Sequence, residues 1–350
     1  MALTAIPVAL CRVIAMARWI PLFAGDMPMM MKSLTGAALL LGAAVLAPVA
    51  DAQTVPQDKT QVPGYFKLMV GDVQVTALYD GSSTFPLNLF KNASPETLQR
   101  EVAEVDGDAP KVVNGSVNSF LINTGEHLIL IDSGGGALLG PGFGQVMRNL
   151  RAAGYQPGQV DMVLLTHMHR DHIGGLVSDD GQPAFPHATV YASQPEIDYW
   201  LSAENASHAA PDQQAAFQMV KRTLAPYADR GRLRAFTYGK ALLPGLQPVS
   251  LPGHTPGHSG FMLDRGGQRI LFWGDIVHYS ALQFAHPELG IAYDSDSGRA
   301  IRTRETLLKQ VARQKTLIAG AHITFPGIGY LRADGDTAYR WTPIGFGELR

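Results

Sequence analysis

Two β-sheets facing each other with helices on the outside, an α+β sandwich, is the architecture the sequence predicts, and three observations predict it. Apolar runs of strand length alternate with stretches of helical spacing. They fall into two rough halves, residues 64–200 and 240–325. Histidines and aspartates recur just past the ends of the apolar runs, as if several strands delivered them to one edge.

The strand pattern starts at Tyr65–Val70, turns at Gly71-Asp72 and continues through Val73–Tyr79, a hairpin that Asp80-Gly81-Ser82-Ser83 ends. Ser94 is a capping candidate for a short helix over 95–106, with Leu98 and Val102 on one face. Ser116–Asn123 and Glu126–Asp132 make a second hairpin, and Leu128-Ile129-Leu130-Ile131 reads as buried on both faces. A helix over 143–153 places Val146, Leu150 and Ala153 together. The run Met162–Leu165 is a buried strand, Thr189–Ala192 another, and residues 194–225 read as helical with an interruption at Pro211. Phe261–Leu263 and Gln268–Trp273 pair next; a helix over 299–313 and a strand over Thr316–Ala321 complete the pattern.

The chain of 350 residues is 46% hydrophobic and 17% charged, an ordinary globular composition. A net charge of -2 offers no basic field for a polyanion, which excludes nucleic acid as an expected partner. From Met30-Met31-Lys32-Ser33 an apolar run leads to Ala50-Asp51-Ala52, the form of a secretory signal peptide cut after Ala52. Residues 1–52 are therefore expected to be upstream leader plus signal peptide, 53–63 a flexible start, and 64–350 the working domain of a secreted or periplasmic protein. The apolar run is short for a bilayer span, so no stable membrane anchor is expected. The single cysteine, Cys11, lies in the leader, which removes cysteine nucleophiles and thiolate ligands from the mature chain.

Chemistry concentrates in Thr166-His167-Met168-His169-Arg170-Asp171-His172-Ile173-Gly174-Gly175, three imidazoles and a carboxylate in six residues directly after a strand. Neutral imidazole is the commonest metal ligand, and this spacing offers His167 and His169 to one ion and Asp171 and His172 to a neighbour. His254, Asp275 and His322 each follow an apolar strand beside small residues, so four strand ends offer ligands. Asp132 and His258 are read as residues that orient ligand loops, and His127, His187, His208 and His286 as ordinary exposed or capping histidines.

With these residues in hand, the sequence from about Tyr65 onward resembles the metallo-β-lactamase superfamily, which implies an αββα sandwich of two mixed sheets with two metals at one edge. The resemblance implies His167, His169 and His254 on one metal, Asp171, His172 and His322 on the other, and Asp275 bridging both. An aspartate bridge speaks against a true β-lactamase, and His169 stands where redox di-iron members carry a carboxylate, so a hydrolase is favoured over an iron-dependent oxygenase. Ser116-Val117-Asn118, Gly253–His258, Val277–Phe284, Asp294-Ser295-Asp296-Ser297 and Phe325–Tyr330 are most similar to the methyl parathion hydrolase and dihydrocoumarin hydrolase group. That group's substrate pocket maps to Leu139, Trp200 and Phe217, with His278, Ile291 and Tyr293 beside it. Leu139, His278, Ile291 and Tyr293 depart from the phosphotriester-cleaving members, which favours lactones and aryl esters over organophosphates. The implied mechanism is attack by a water activated between two divalent ions, expected to be zinc, with catalytic roles for Asp171, Asp275 and His278 and leaving-group protonation by Asp171 or metal-bound water. A homodimer acting on a small ester or lactone is the implied form.

Overall fold

A computed structural model describes residues 55–107 and 111–349, so the expected leader and signal peptide lie outside the described residues. Contacts divide the chain after Lys59, and every regular element described belongs to Thr60–Arg350. Residues 55–64 form no helix or strand. Among the described residues no helix is long and apolar enough to cross a membrane.

In chain order the first half contains β1 (Tyr65–Val70), β2 (Val73–Pro86), β3 (Phe90–Lys91), α1 (Pro95–Asp106), β4 (Val112–Asn123), β5 (Leu128–Ile131), α2 (Val146–Ala152), β6 (Met162–Leu164), α3 (Arg170–Ile173) and β7 (Thr189–Ser193). Helices α4 (Gln194–Trp200), α5 (Ala203–His208) and α6 (Pro211–Ala228) lead to β8 (Leu233–Phe236), β9 (Leu246–Ser250), β10 (Ser259–Arg265) and β11 (Gln268–Phe272). The chain closes with α7 (Ser280–Gln283), β12 (Gly290–Ile291), α8 (Ser297–Gln314), β13 (Leu317–Ala319), β14 (Ile328–Asp334) and β15 (Ala338–Pro343). One sheet runs β1-β2-β4-β5-β6-β7-β8, the other β15-β14-β13-β11-β10-β9, and β3 pairs with β12 apart from both. Both large sheets mix parallel and antiparallel pairs, with β5, β6, β7 and β8 parallel in the first and β11 beside β13 in the second.

The period-two alternation of strands sorts the apolar side chains into layers. Phe120, Ile122, Ile129 and Ile131 face Phe261, Ile270 and Phe272 between the sheets. The intervening Leu121, Leu128 and Leu130 pack outward on Val146 and Leu150 of α2 and Val220 and Leu224 of α6. Leu271, Trp273 and Ile318 turn outward onto Leu307, Leu308 and Val311 of α8. This is the αββα sandwich, and each such side chain removed from water contributes about 1.5–3 kcal/mol. A fourth cluster stands aside, built from Leu87, Phe90, Leu98, Val102, Val113, Leu282, Leu289 and Ile291.

Three departures from the sequence reading have physical causes. Strand β2 does not end at Asp80 but runs on to Pro86, because a bulge between Tyr79 and Gly81 absorbs the break in register. The Asp80 side chain turns inside, where it accepts hydrogen bonds from Gly135 N and Val146 N. Pro211 starts α6 instead of interrupting a helix; at the first helical position its missing N–H costs nothing. Strands β8, β14 and β15 were not anticipated, since their exposed and charged residues, as in Leu233-Arg234-Ala235-Phe236, blur the apolar pattern.

Candidate metal centre

Parallel pairing puts the carboxyl ends of β5 and β6 at one edge of the first sheet, and those of β11 and β13 at one edge of the second. The ligand candidates follow these ends. After β6 the chain bends at Thr166 and enters α3 from an extended His169, which brings His167, His169, Asp171 and His172 to one point. Gly174 and Gly175 are required there, because a Cβ on either would collide with the backbone oxygen of Gly135 or Ser133. His254 arrives on the loop between β9 and β10, Asp275 after β11 and His322 after β13.

Seven side chains converge into two groups, His167, His169, His254 and Asp275, and Asp171, His172, His322 and Asp275, with the donor atoms of each group within 4.8 Å of one another. In the first group His169 Nδ1 lies 3.1 Å from His167 Nε2 and 3.0 Å from His254 Nε2. Asp275 Oδ2 lies 3.6 and 3.3 Å from the same two nitrogens. In the second, His172 Nε2 is 3.5 Å from Asp171 Oδ2 and 3.1 Å from Asp275 Oδ1, and His322 Nε2 is 3.3 and 3.0 Å from Asp171 Oδ2 and Asp275 Oδ2. A tetrahedron with metal–nitrogen bonds of about 2.0–2.1 Å has edges of about 3.3 Å, so both donor sets fit a four-coordinate divalent ion. His172 Nε2 and Asp275 Oδ1 are buried without a hydrogen-bond partner, as lone pairs aimed at a cation would be. Cysteine contributes nothing to either set.

The far nitrogen of nearly every imidazole is held. Asp132 Oδ2 sits 2.9 Å from His172 Nδ1 and accepts from Thr166 Oγ1 at 2.8 Å, while Asp294 Oδ1 lies 2.9 Å from His254 Nδ1. His322 Nδ1 reaches the carbonyl of Ser116 at 2.9 Å, and Thr166 Oγ1 lies 3.1 Å from His167 Nδ1. Such partners fix ring orientation and tautomer and raise ligand basicity. Asp132 takes a positive φ of 56°, a strained conformation for a residue other than glycine, while its carboxylate holds both Thr166 and His172. His258 holds Asp275 through the backbone, accepting from its N–H at 3.0 Å while the other ring nitrogen meets Leu251 O.

Burial opposes ionisation of Asp275 and Asp171, yet the fields of His172 and His322 hold both carboxyls well below the usual range. Burial likewise opposes charge on the imidazoles, but Asp275 with Asp294 raises His254 to about 9, and Asp275 with Asp171 raises His322 to about 10. His169, desolvated and next to His254, falls to about 3. The centre is therefore a place where carboxylates demand compensating positive charge, which divalent ions held by these donors would supply without protons.

The pocket candidates are placed unevenly. Trp200 meets His169 edge to face at 5.8 Å, with Phe217 behind it at 4.9 Å, both buried. His278 stacks on His322 at 5.2 Å, its Nε2 3.3 Å from Asp275 Oδ2 and neither ring nitrogen hydrogen-bonded. Burial lowers His278 to about 4, so the ring is neutral at pH 7. Tyr293 lies 6.3 Å from His278 and is 43% exposed. Ile291 is buried in the side cluster, and Leu139 packs against Gly135. Sequence reasoning did not single out Phe85, which lies edge-on to His322 at 6.1 Å, or Glu196, whose carboxylate ties two ligand loops together. Phe85 pairs with Val113 and lays its ring diagonally over Gly115, a contact that only the β2–β4 pairing reveals.

Residues 112–322 match the profile of the Metallo-beta-lactamase superfamily. The fold is similar to a solved hydrolase of the beta lactamase superfamily, AbOPH, at 40% identity and a TM-score of 0.79, covering 83% of this chain and all of that one. It is also similar to AidC, a dizinc quorum-quenching lactonase solved with the product N-hexanoyl-L-homoserine, at 26% identity and a TM-score of 0.73 over 81% and 99% of the two chains. A probable metallo-hydrolase of Mycobacterium tuberculosis is 25% identical over 194 residues, 47% of this chain, and the chain spans only 61% of that relative's length. Fold, donor sets and sequence profile agree, and the chain belongs to the metallo-beta-lactamase superfamily.

Proposed function

We propose that the protein is a binuclear metal-dependent hydrolase of lactones or aryl esters. The observation that carries the reading is a pair of four-donor sets sharing Asp275, built without sulfur and bordered by aromatic rings. His167, His169 and His254 would hold one ion and Asp171, His172 and His322 the other. When bound, two divalent ions, zinc in our reading, supply Lewis acidity and bring the pKa of a coordinated water towards neutrality.

The chain's own residues then do the positioning. Trp200 on one side and Phe85 and Tyr293 on the other offer ring faces and edges that orient a flat acyl or aryl group. Neutral His278 has free ring nitrogens beside the bridging carboxylate, and one N–H there can donate to a substrate oxygen. Asp171 is the candidate ligand carboxylate with 21% of its side chain open to solvent; ionised at rest, it would accept the proton given up by the attacking water and pass it to an alkoxide leaving group. A phenolate leaves unaided.

Rates on dihydrocoumarin, an acyl-homoserine lactone, an aryl acetate and methyl parathion, measured in parallel with metal content, test the reading. Lactone and aryl ester rates above the phosphotriester rate by orders of magnitude are expected. A dominant methyl parathion rate makes the enzyme a phosphotriesterase, and iron with oxygen consumption overturns the hydrolase. We further propose export with cleavage near Ala52, checked by sequencing the mature N-terminus, and a homodimer, checked by light scattering.

A further inference from the structure

We propose that Glu196 is the positioning residue that fixes the His167, His169 and His254 donor set, by holding both ligand-bearing loops and the Trp200 indole on one buried carboxylate. Its Oε1 accepts from Met168 N at 2.9 Å, the amide between His167 and His169, and from Trp200 Nε1 at 2.8 Å. Its Oε2 accepts from Thr255 Oγ1 at 2.7 Å and Gly257 N at 2.9 Å, on the loop that carries His254. The side chain is buried and, among the described residues, makes no ion pair. Two donors on each oxygen saturate an ionised carboxylate and nothing else of that shape. A glutamine would turn its amide N–H₂ either at Met168 N–H and Trp200 N–H, losing both bonds, or at Gly257 N–H, losing that bond while the Thr255 hydroxyl turns to accept.

The reach of this anchor is selective. His172 is held by Asp132, and His322 by the carbonyl of Ser116. Asn118 Nδ2 donates to the carbonyls of Gly320 and Ile323 on either side of the His322 loop. None of these touches Glu196. Its loss should therefore loosen one donor set and leave the other, which general destabilisation would not do. The inference rests on the binuclear reading above.

Zinc binding by the full chain, titrated in competition with a chromophoric chelator, tests it with no reference to turnover. In a His322→Ala background, where the remaining tight equivalent belongs to the three-histidine set, Glu196→Gln should weaken zinc by about 10–100-fold, the usual effect of removing a residue that orients ligands. In a His254→Ala background the same substitution should leave zinc affinity unchanged. Equal losses in both backgrounds, or none in the first, overturn the inference. Should Glu196→Gln fail to fold, Thr255→Val removes one of the four bonds, and a smaller loss confined to the His322→Ala background is expected; unchanged binding there overturns the inference equally. Wild-type protein that takes up fewer than two tight equivalents refutes the binuclear reading itself, a result distinct from an indifferent Glu196→Gln.

Discussion

Replacing Asp275 by alanine is the perturbation whose outcome depends most directly on the shared carboxylate. Asp275 Oδ1 and Oδ2 approach His172, His254 and His322 at 3.1, 3.3 and 3.0 Å, so a single substitution takes one donor from each of two four-donor sets. A four-donor zinc site is worth about 10–16 kcal/mol, which shared evenly is about 2.5–4 kcal/mol per donor, or about 10²–10³-fold in affinity at each ion. Asp275→Ala should therefore release both equivalents on dialysis and abolish hydrolysis of dihydrocoumarin. Asp171→Ala takes a donor from one set only and should release one equivalent. The backbone bond from residue 275 N–H to His258 Nε2 survives in the alanine variant, and circular dichroism checks that the fold does too. Two retained metals with full activity in Asp275→Ala would refute the shared bridge and the mechanism built on it.

Three further outcomes follow from other parts of the structure. His278→Leu removes a neutral donor beside the bridge and should lower lactone kcat/KM by about 5–10-fold, the worth of one hydrogen bond, while leaving methyl parathion turnover as it was. Gly174→Ala drives a Cβ into the Gly135 carbonyl and should cost about 1–3 kcal/mol in urea unfolding, as overpacking does, with no loss if the two backbones can part freely. Burial opposes charge on His286, but Glu101 at 3.1 Å and Glu288 at 3.2 Å raise its pKa. That stabilisation is complete below the ordinary histidine value near 6.5 and fades as pH rises through the raised one, so His286→Gln should cost about 0.2–1 kcal/mol at pH 6 and nothing at pH 9.

The candidate donors were legible because several are written locally: an apolar run, a small residue, then histidine or aspartate, as in Gly253-His254, Gly274-Asp275 and Ala321-His322. Sheet layering was legible for the same reason, since Leu128-Ile129-Leu130-Ile131 declares two buried faces. What stayed hidden depends on pairs distant in sequence. Glu196 reads as an ordinary acidic residue in the first turn of a helix capped by Ser193, and only folding brings Gly257 to it. Asp80 reads as a turn residue until the bulge turns its carboxylate inward. Phe217 and Ile291, expected at the pocket, lie behind Trp200 and within the side cluster, where they can shape the wall only by supporting what stands in front.

The bond from the Trp200 indole to Glu196 also bears on how this enzyme could change its diet. A lineage drifting to new substrates can exchange Tyr293 or Leu139, which stand on half-open segments, at little risk to the candidate donor sets. Trp200 is different, because its N–H ends on the carboxylate that secures two ligand loops. Mutations there would be filtered twice, once for the substrate and once for the metal. Natural variation at the pocket should therefore be lopsided, broad on the Tyr293 side and narrow at Trp200.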